Sequence, residues 1–505
     1  MKRAKSKTIK SNGSREKIAP ENNNLNTSVA AAENYEMVFA AEKITLPPLM
    51  ANYPGQGVTY RVANMPLVEN NSLNVAPGTA PTASAAAPAH VPIDPEIGPD
   101  PKNASCAVRF EDVPYYVGNH GIRYDFAYGY RIMTPAGDGD YQVRIYDLDS
   151  GMPLEQYELN GGQLLVGNRK FFVRYRIEVW QAEKLIFEHN YDCRGKRVYI
   201  VIPDGGLGDN LAWLPYAEKF RLENHSEVTC VIGEWMIRLV GDLYPGLKFV
   251  PNTNTPKLSE SYANYFCGIF DRDKKNWRPI DHQQLGMQAA VAAILGLSHE
   301  PLKCRLHRGS PRPFPEPFVC ISTMATNPGK YWNYPDGWNQ IIRFLKSCGY
   351  RVLDIDRDPQ LFFADRRYTI PSEAEDFTGR VPLQKRIDLL EHADFFIGLP
   401  SGLSWLAWNL DLPVVMLSGF TMPNCEFPTP YRVTNYLFCH GCWNDSECFF
   451  DQKVPVWCPK HMGTLREIEC TRAITPKMVM ETIFRIPKFI QRAGRAMIIN
   501  QERNL

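Results

Sequence analysis

The sequence predicts an α/β fold with two Rossmann-like domains. Val198 opens a continuous apolar run that leads into a glycine turn and a helical stretch, the order that begins a βαβ unit. A proline-rich stretch, 310–318, separates two sets of such runs and predicts an interdomain linker. The further apolar runs alternate with helical segments, as in parallel sheets covered by helices, and lie at 228–232, 318–321, 351–355, 395–398 and 414–417.

Composition narrows the class of protein. A chain of 505 residues exceeds what one core usually serves, and 44% hydrophobic residues can fill more than one. A formal net charge of +1 gives no field toward nucleic acid, so no nucleic-acid partner is expected. No apolar run approaches the roughly 20 residues of a membrane span, and the basic N-terminus lacks the apolar core of a secretory signal. The 13 cysteines are odd in number and crowd toward the C-terminal end, which favours a reducing, cytoplasmic compartment.

The first part of the chain is expected to hold two different regions. Residues 1–104 are rich in Asn, Ala, Pro and Ser, which bury too little surface to offset the entropy of ordering. They are predicted to be a disordered leader and linker. In 105–195 apolar residues alternate along the chain, as Phe171, Val173 and Tyr175 do, which predicts a small antiparallel β module.

The rest of the chain is expected to form the two Rossmann-like domains, 196–312 and 313–505. The second domain includes the cysteine-rich segment 439–470, which is interpreted as a metal knuckle. It ends in an amphipathic segment, 475–498, that predicts a closing helix kinked near Pro487.

The glycine turn after the Val198 run contains Gly206, Gly208 and Asp209. Free N–H groups and the dipole at a helix start favour a negative group, and glycine lets a substrate approach the backbone. Asp209 is expected to face the crevice at the carboxyl end of the strand, where a carboxylate can deprotonate a hydroxyl nucleophile. Two simpler interpretations remain, a turn that needs glycine only for its conformation and a helix N-cap at Asp209.

Two later strands are also followed by polar turns. After the 318–321 run, Ser322, Thr323 and Lys330 could bind a diphosphate, with the lysine stabilising a departing nucleotide; a solvated loop lysine is the alternative. After the 395–398 run, Ser401 precedes a helical stretch and, with the amides of the next two residues, forms a second candidate phosphate site. Those two residues are Gly402 and Leu403.

The cysteine-rich segment carries the sharpest pattern in the sequence. Cys439 and Cys442 form a C-x2-C pair, whose thiolates can hold one tetrahedral ion together with two more cysteines from nearby loops. Cys458 and Cys470 are the preferred partners, because Cys448 precedes two phenylalanines and can be a buried apolar thiol.

Other interpretations of this segment stay open. The cysteines could be unligated core residues or, with less support, a redox pair. His440 and His461 are close enough in sequence to replace a thiolate. Tetrahedral thiolate sites suit both zinc and iron, so ligand type alone does not decide the metal.

Taken in order, these motifs make the chain resemble the bacterial autotransporter heptosyltransferase family and, more distantly, the lipopolysaccharide-core heptosyltransferases. The resemblance covers the chain from about Cys106 to its end. One departure is Pro400, since the distant relatives carry an acidic residue there, and contacts to the sugar hydroxyls are therefore left open. The residues that carry the resemblance are 118–126, 205–209, 327–330, 399–405, 439–442 and 469–470.

The resemblance implies a GT-B fold and inverting transfer of heptose from ADP-glycero-manno-heptose to serine hydroxyls of an autotransporter passenger. It implies Asp209 as general base, Lys330 as a donor-phosphate contact and Ser401 to Leu403 as the nucleotide-binding loop. It further implies one structural iron in the cysteine knuckle and a large, dodecamer-like homo-oligomer. With Asp209 as base and with Lys330 and helix-terminal amides stabilising the departing diphosphate, no catalytic metal is expected. In this scheme 196–312 is the acceptor side and 313–505 the donor side.

Two rival functions remain at this stage. One is a related enzyme that acts on a lipopolysaccharide core or another glycan acceptor. The other is an adaptor without enzymatic activity that uses the metal knuckle to bind a partner, for which three phosphate-type turns would be needless.

Overall fold

The structure is a computed structural model. It describes residues 113–203, 205–254, 261–270, 275–363, 366–451, 454 and 456–493. The predicted leader and linker, 1–104, lies outside the described residues.

The first described segment is made of short strands. Four of them form an antiparallel sheet in the order β5-β4-β7-β8, which fits the alternation of apolar residues at positions such as Val143, Ile145, Ile177 and Val179, all fully buried. The strands are β1 (Tyr116–Val117), β2 (Arg123–Ala127), β3 (Arg131–Met133), β4 (Asp140–Asp147), β5 (Pro153–Asn160), β6 (Leu164–Val166), β7 (Tyr175–Gln181) and β8 (Lys184–Asn190).

The first Rossmann-like half follows, with its strands parallel in the order β11-β10-β9-β12. Its strands are β9 (Arg197–Val201), β10 (Glu227–Ile232), β11 (Lys248–Pro251) and β12 (Ala263–Phe266). Its helices are α1 (Leu207–Asn224), α2 (Glu234–Val240), α3 (His282–Leu285) and α4 (Met287–Ile294).

The strands of the β module pair with one another antiparallel, as the sequence predicts, and one parallel pairing joins the module to the first half. β2 pairs in parallel with β12, and β3 and β6 follow it, so that the parallel sheet continues into the module. The physical reason is a shared core, because Phe126 and Ile132 of the module pack in the same buried cluster as Val198 and Ile200. This pairing also covers the edge of β12, which would otherwise expose unpaired backbone groups.

The second half holds a six-stranded, fully parallel sheet in the order β17-β14-β13-β18-β19-β20 and a separate hairpin, β15-β16. Its strands are β13 (Phe318–Ile321), β14 (Arg351–Asp354), β15 (Gln360–Phe363), β16 (Arg366–Thr369), β17 (Glu375–Asp376), β18 (Phe396–Gly398), β19 (Val414–Leu417) and β20 (Arg432–Val433). Its helices are α5 (Gly337–Ser347), α6 (Leu383–Leu390), α7 (Gly402–Asn409), α8 (Glu469–Arg472) and α9 (Pro476–Ile483). The strands predicted from apolar runs are confirmed as β9, β10, β13, β14, β18 and β19.

Alternate residues of the second sheet face two different cores. Phe318 and Cys320 belong to the cluster that includes α6 and α7, whereas Val319 and Ile321 belong to the cluster that includes α5 and α9. Strand geometry turns successive side chains to opposite faces, so helices cover both sides of the sheet, as in a doubly wound domain. No described helix has the length and apolar character that crossing a membrane requires.

The closing segment is two helices where the sequence predicted one kinked helix. α9 ends at Ile483, residues 484–486 form a short connection, and residues 487–493 are helical again. Pro487 starts the second helix, which is where its missing N–H costs nothing. The predicted residues 494–498 lie outside the described part of the chain.

Candidate active site and cysteine cluster

Asp209 lies at the third position of α1, in the turn that follows β9. The N–H of Gly206 donates to its Oδ2 at 2.7 Å, so the carboxylate reaches back to the residue that precedes the helix. Burial raises the pKa of Asp209, while the Gly206 N–H and the charge of Lys330 oppose that rise. Asp209 therefore caps α1 through one oxygen and leaves Oδ1 for a proton or a substrate hydroxyl.

Ser401 is the N-cap of α7 but does not use its hydroxyl as a cap. The Ser401 Oγ is buried and has no hydrogen-bond partner among the described residues. Gly402 and Leu403 begin the helix, where backbone N–H groups have no carbonyl of the preceding turn to bond. An orphaned buried hydroxyl beside free amides at a helix N-terminus is a candidate anion site.

The N-termini of α1 and α7 pack against each other across the two halves. A Cβ on Gly208 would lie 2.8 Å from Trp405 Cδ1, and a Cβ on Gly402 would lie 2.8 Å from Leu207 Cβ. Both glycines are therefore needed for the close packing of the two helices. The sequence pattern predicted a role in donor binding for them and did not indicate this packing. Their packing brings the turn of Asp209 beside the candidate anion site at Ser401.

Lys330 ends a short 3-10 turn, Pro328–Lys330, after β13. Asn327 holds this turn, because its Oδ1 accepts from the Gly329 N–H at 2.8 Å and its Nδ2 donates to the Val454 carbonyl at 3.0 Å. Burial lowers the pKa of Lys330, and the negative charges of Asp209 and Glu426 oppose that change. Lys330 and Asp209 thus influence each other's charge from opposite halves of the protein.

Ser322 and Thr323 are not placed as the diphosphate ligands that the sequence suggested. Ser322 Oγ donates to Asp356 Oδ1 at 2.6 Å, and Thr323 Oγ1 lies 3.1 Å from both Asp354 Oδ2 and Asp356 Oδ2. Burial and the negative charge of Asp356 raise the pKa of Asp354, and burial raises the pKa of Asp356. Both hydroxyls thus already have hydrogen-bond partners in these acidic side chains.

Sequence reasoning missed the acidic groups at this junction. Asp354 is the last residue of β14 and Asp356 lies two residues further on, a signal at the carboxyl end of a strand that could have identified them. Glu426 and Arg432 form an ion pair at 2.8 Å whose side chains are 4% and 10% exposed, and no local pattern marks it. The Glu426 charge also acts on Lys330.

The four preferred cysteines surround one small cavity of about 20 Å³. Cys439 Sγ and Cys442 Sγ lie 4.0 Å apart. Two thiolates at about 2.3 Å from a tetrahedral ion would be roughly 3.8 Å apart, so the pair suits such an ion. Cys458 and Cys470 also line the cavity, whereas Cys448 does not.

His461 and Glu469 are the other candidate ligands at this cavity. Ligand atoms of Cys439, His461 and Glu469 all lie within 4.8 Å of one another. Glu469 Oε1 is already used, since it accepts from the Cys439 N–H at 3.0 Å and pairs with Arg466 at 2.6 Å. His440 turns its Nδ1 to the Phe438 carbonyl at 2.7 Å and does not line the cavity. Among the described residues, the set whose ligand atoms all lie within 4.8 Å of one another is Cys439, His461 and Glu469, and Cys442, Cys458 and Cys470 line the same cavity.

Two Rossmann-like halves that gather a carboxylate, a lysine and a helix N-terminus at their junction form the arrangement of a GT-B glycosyltransferase. Comparison with known families agrees. Residues 275–453 match the family Glycosyltransferase family 9 (heptosyltransferase), and residues 118–183 match the family Glycosyltransferase TibC, N-terminal domain.

The chain belongs to the autotransporter heptosyltransferase family. It is 40% identical over 385 residues to the autotransporter heptosyltransferase BAHTCr of Citrobacter rodentium (strain ICC168), covering 76% of this chain and 93% of that protein. It is equally 40% identical to the autotransporter heptosyltransferase TibC of Escherichia coli O78:H11, covering 76% and 94%. The inactive autotransporter heptosyltransferase BimC of Burkholderia thailandensis is 35% identical, covering 81% and 97%.

A solved structure of TibC is similar over most of its length. The dodecameric iron-containing heptosyltransferase TibC in complex with ADP-D-β-D-heptose matches with a TM-score of 0.71 and 40% identity, covering 74% of this chain and 98% of that one. The GT-B-like α/β fold that the sequence predicted is therefore confirmed.

Proposed function

We propose that this protein transfers heptose from ADP-glycero-manno-heptose to serine hydroxyls of an autotransporter passenger, with inversion at the anomeric carbon. The observation that carries the proposal is the packing of the first turn of α1, which holds Asp209, against the N-terminus of α7, where the buried Ser401 hydroxyl has no partner among the described residues. Membership of a family named for autotransporter heptosylation supports the acceptor, and the TibC complex with ADP-D-β-D-heptose supports the donor.

The chemistry assigns each group one role. Asp209 takes the proton of the serine hydroxyl as its oxygen bonds to the anomeric carbon from the face opposite ADP. The bond from that carbon to the phosphate oxygen breaks, and ADP leaves with the electron pair. Lys330 and the amides of Gly402 and Leu403 stabilise the charge on the departing diphosphate, with the Ser401 hydroxyl as an additional donor.

Donor binding is assigned to fewer residues than the sequence suggested. We keep Ser401, Gly402, Leu403 and the exposed Gly206 in this role. Gly208 contributes by packing, and Ser322 and Thr323 contribute by holding their loop to the acidic pair. The first half then presents the acceptor side and the second half the donor side.

The cysteine cluster is proposed to hold one structural iron per chain, with zinc as the alternative. The ligands are Cys439, Cys442, Cys458 and Cys470, and the cavity that these four share supports the choice. When bound, the ion would cross-link the loops around it. Metal analysis of single Cys→Ser variants tests this, since each of the four should lose most of the metal whereas Cys448→Ser should keep it. Visible absorption of the purified protein distinguishes iron from zinc.

Assembly and location are proposed by family. TibC is a dodecamer in its solved structure, and we expect this chain to form a large homo-oligomer as well. The proposed donor, a nucleotide-diphosphate sugar, fits a location in the cytoplasm. Native mass spectrometry of the purified protein measures the number of subunits, and a monomer would contradict the proposal.

Intact-mass analysis tests the activity directly. A passenger fragment incubated with the protein and ADP-heptose should gain heptose masses, and peptide mapping should locate them on serines. An unmodified passenger together with transfer to a lipopolysaccharide core would favour the related enzyme on a glycan acceptor. Absence of any ADP-sugar binding would favour a non-enzymatic adaptor, and BimC shows that inactive relatives exist.

A further inference from the structure

The ammonium group of Lys330 lies beside aromatic rings. Among the residues that the structure describes, no carboxylate forms an ion pair with its ammonium group and no acceptor takes a hydrogen bond from Nζ. The ammonium group instead lies 5.4 Å from the ring centroid of Phe420 and 5.9 Å from that of Trp443. Both distances are within the range of a cation–π contact.

A cation–π contact differs from an ion pair in what it leaves free. The aromatic face attracts the charge but takes none of the three N–H donors of the lysine. A carboxylate partner would hold the ammonium group and neutralise it. Two aromatic rings therefore contact the ammonium group of Lys330 and leave all its donors available, as a phosphate contact requires.

Trp443 is fixed by contacts on both sides of the junction between the halves. Its backbone N–H donates to the Phe420 carbonyl at 3.2 Å, and its backbone carbonyl accepts from Gln283 Nε2 of α3 at 2.7 Å. A second hydrogen bond joins the same segments, in which Asn444 Nδ2 donates to the Gln283 carbonyl at 2.8 Å. The tryptophan is thus anchored to the first half through α3 and to the second half through Phe420.

The aromatic rings that contact Trp443 also come from both halves of the protein. Its ring centroid lies 5.8 Å from that of Phe270, in the first half, and 5.8 Å from that of Phe420, in the second. Phe450 packs against it at 5.2 Å but has no contact with the ammonium group among the described residues. Trp443 also follows Cys442 directly in the chain, so the tryptophan belongs to the same loop as the cysteine cluster.

We propose that Trp443 and Phe420 are positioning residues for Lys330, which hold its ammonium group over their ring faces and present it to the diphosphate of the donor. The proposal rests on the proposed function, because it assumes that Lys330 contacts a nucleotide diphosphate. Trp443 links the two halves, since its carbonyl accepts from Gln283 and its ring packs against Phe270 of the first half as well as against Phe420 of the second.

ADP binding measured by isothermal titration calorimetry tests the proposal. Trp443→Leu should weaken ADP binding roughly threefold to tenfold. Trp443→Phe keeps a ring face and should therefore retain most of the ADP affinity. Phe450→Leu is the matched control, because it alters the same aromatic cluster without touching Lys330, and should leave ADP affinity unchanged. Phe420→Leu removes the nearer ring and should act like Trp443→Leu, which keeps the test available if Trp443→Leu does not fold.

A double variant separates positioning from general damage. If Trp443 acts through Lys330, adding Trp443→Leu to Lys330→Ala should cause no further loss of ADP affinity. Additive losses, or ring variants that bind ADP as the original protein does, would overturn the proposal. Failure of Lys330→Ala itself to weaken ADP binding would instead count against the donor role of the lysine, so the two ideas fail in different ways.

Discussion

Gly208 and Gly402 meet backbone to backbone where the first turns of α1 and α7 cross. A Cβ on Gly208 would lie 3.4 Å from Gly402 Cα, and one on Gly402 would lie 3.1 Å from the Gly208 nitrogen. This contact sets the distance between the turn that carries Asp209 and the N-terminus that begins at Ser401. It joins the two halves at the point where acceptor and donor are proposed to react.

Gly402→Ala should therefore separate the halves slightly. The added methyl group meets Leu207 Cβ and the Gly208 backbone, and backbone cannot move away as a flexible side chain can. We expect a loss of about 1 to 3 kcal/mol in the free energy of unfolding and a fall in transfer rate. Urea unfolding and initial rates with a passenger fragment measure the two effects. Unchanged stability would show that the crossing tolerates a side chain.

Asp209→Asn should slow transfer strongly but preserve donor binding. The amide keeps the shape of the side chain but cannot accept the serine proton, so the rate should fall roughly 100- to 10,000-fold. ADP affinity should stay within about twofold of the original, because the proposed diphosphate site lies at Lys330 and Ser401. Heptose transfer by mass spectrometry and ADP binding by calorimetry are both needed. Transfer near the original rate would rule out Asp209 as the base.

The positions of these groups show what the sequence could predict. Asp209, Lys330 and Ser401 each follow an apolar run that proved to be a strand, and parallel strands bring their carboxyl ends to one edge. The roles of Ser322 and Thr323 could not be predicted, because a hydroxyl after a strand looks the same whether it faces a phosphate or a buried carboxylate.

Contacts between segments that are distant in the chain could not be predicted from the sequence either. The ring of Trp443 lies near Lys330 only because the loop of the cysteine cluster folds back over the strand ends, and no periodic pattern encodes that return. The pairing of β2 with β12 is similar, since alternation along a strand predicts its faces but leaves its neighbour undetermined.

The pH dependence of transfer should report the pair formed by Asp209 and Lys330. Because Asp209 must be ionised to act as base, kcat/KM should fall as the pH drops through its pKa, and burial places that pKa above the ordinary value for aspartate. The charge of Lys330 lowers the pKa of Asp209, so Lys330→Met should move the acidic limb to higher pH.

The control for this shift is a lysine without access to the site. Lys346, on α5, pairs with Glu373 at 3.3 Å and is 43% exposed, so Lys346→Met should leave the acidic limb where it is. Profiles of kcat/KM against pH for the three proteins make the comparison. A limb that does not move in Lys330→Met would contradict the coupling between the two residues.

The helical segment 487–493 should depend on one buried carboxylate. Asp394, just before β18, has a fully buried side chain and pairs with Lys488 at 2.7 Å and with Arg492 at 2.6 Å. Asp394→Asn removes the charge that both cations face, and we expect a loss of about 2 to 3 kcal/mol in the free energy of unfolding. Glu481→Gln, which breaks the exposed pair with Lys477 on α9, should cost less than about 0.5 kcal/mol. Urea unfolding compares the two, and equal effects would show that the buried carboxylate does not anchor this segment.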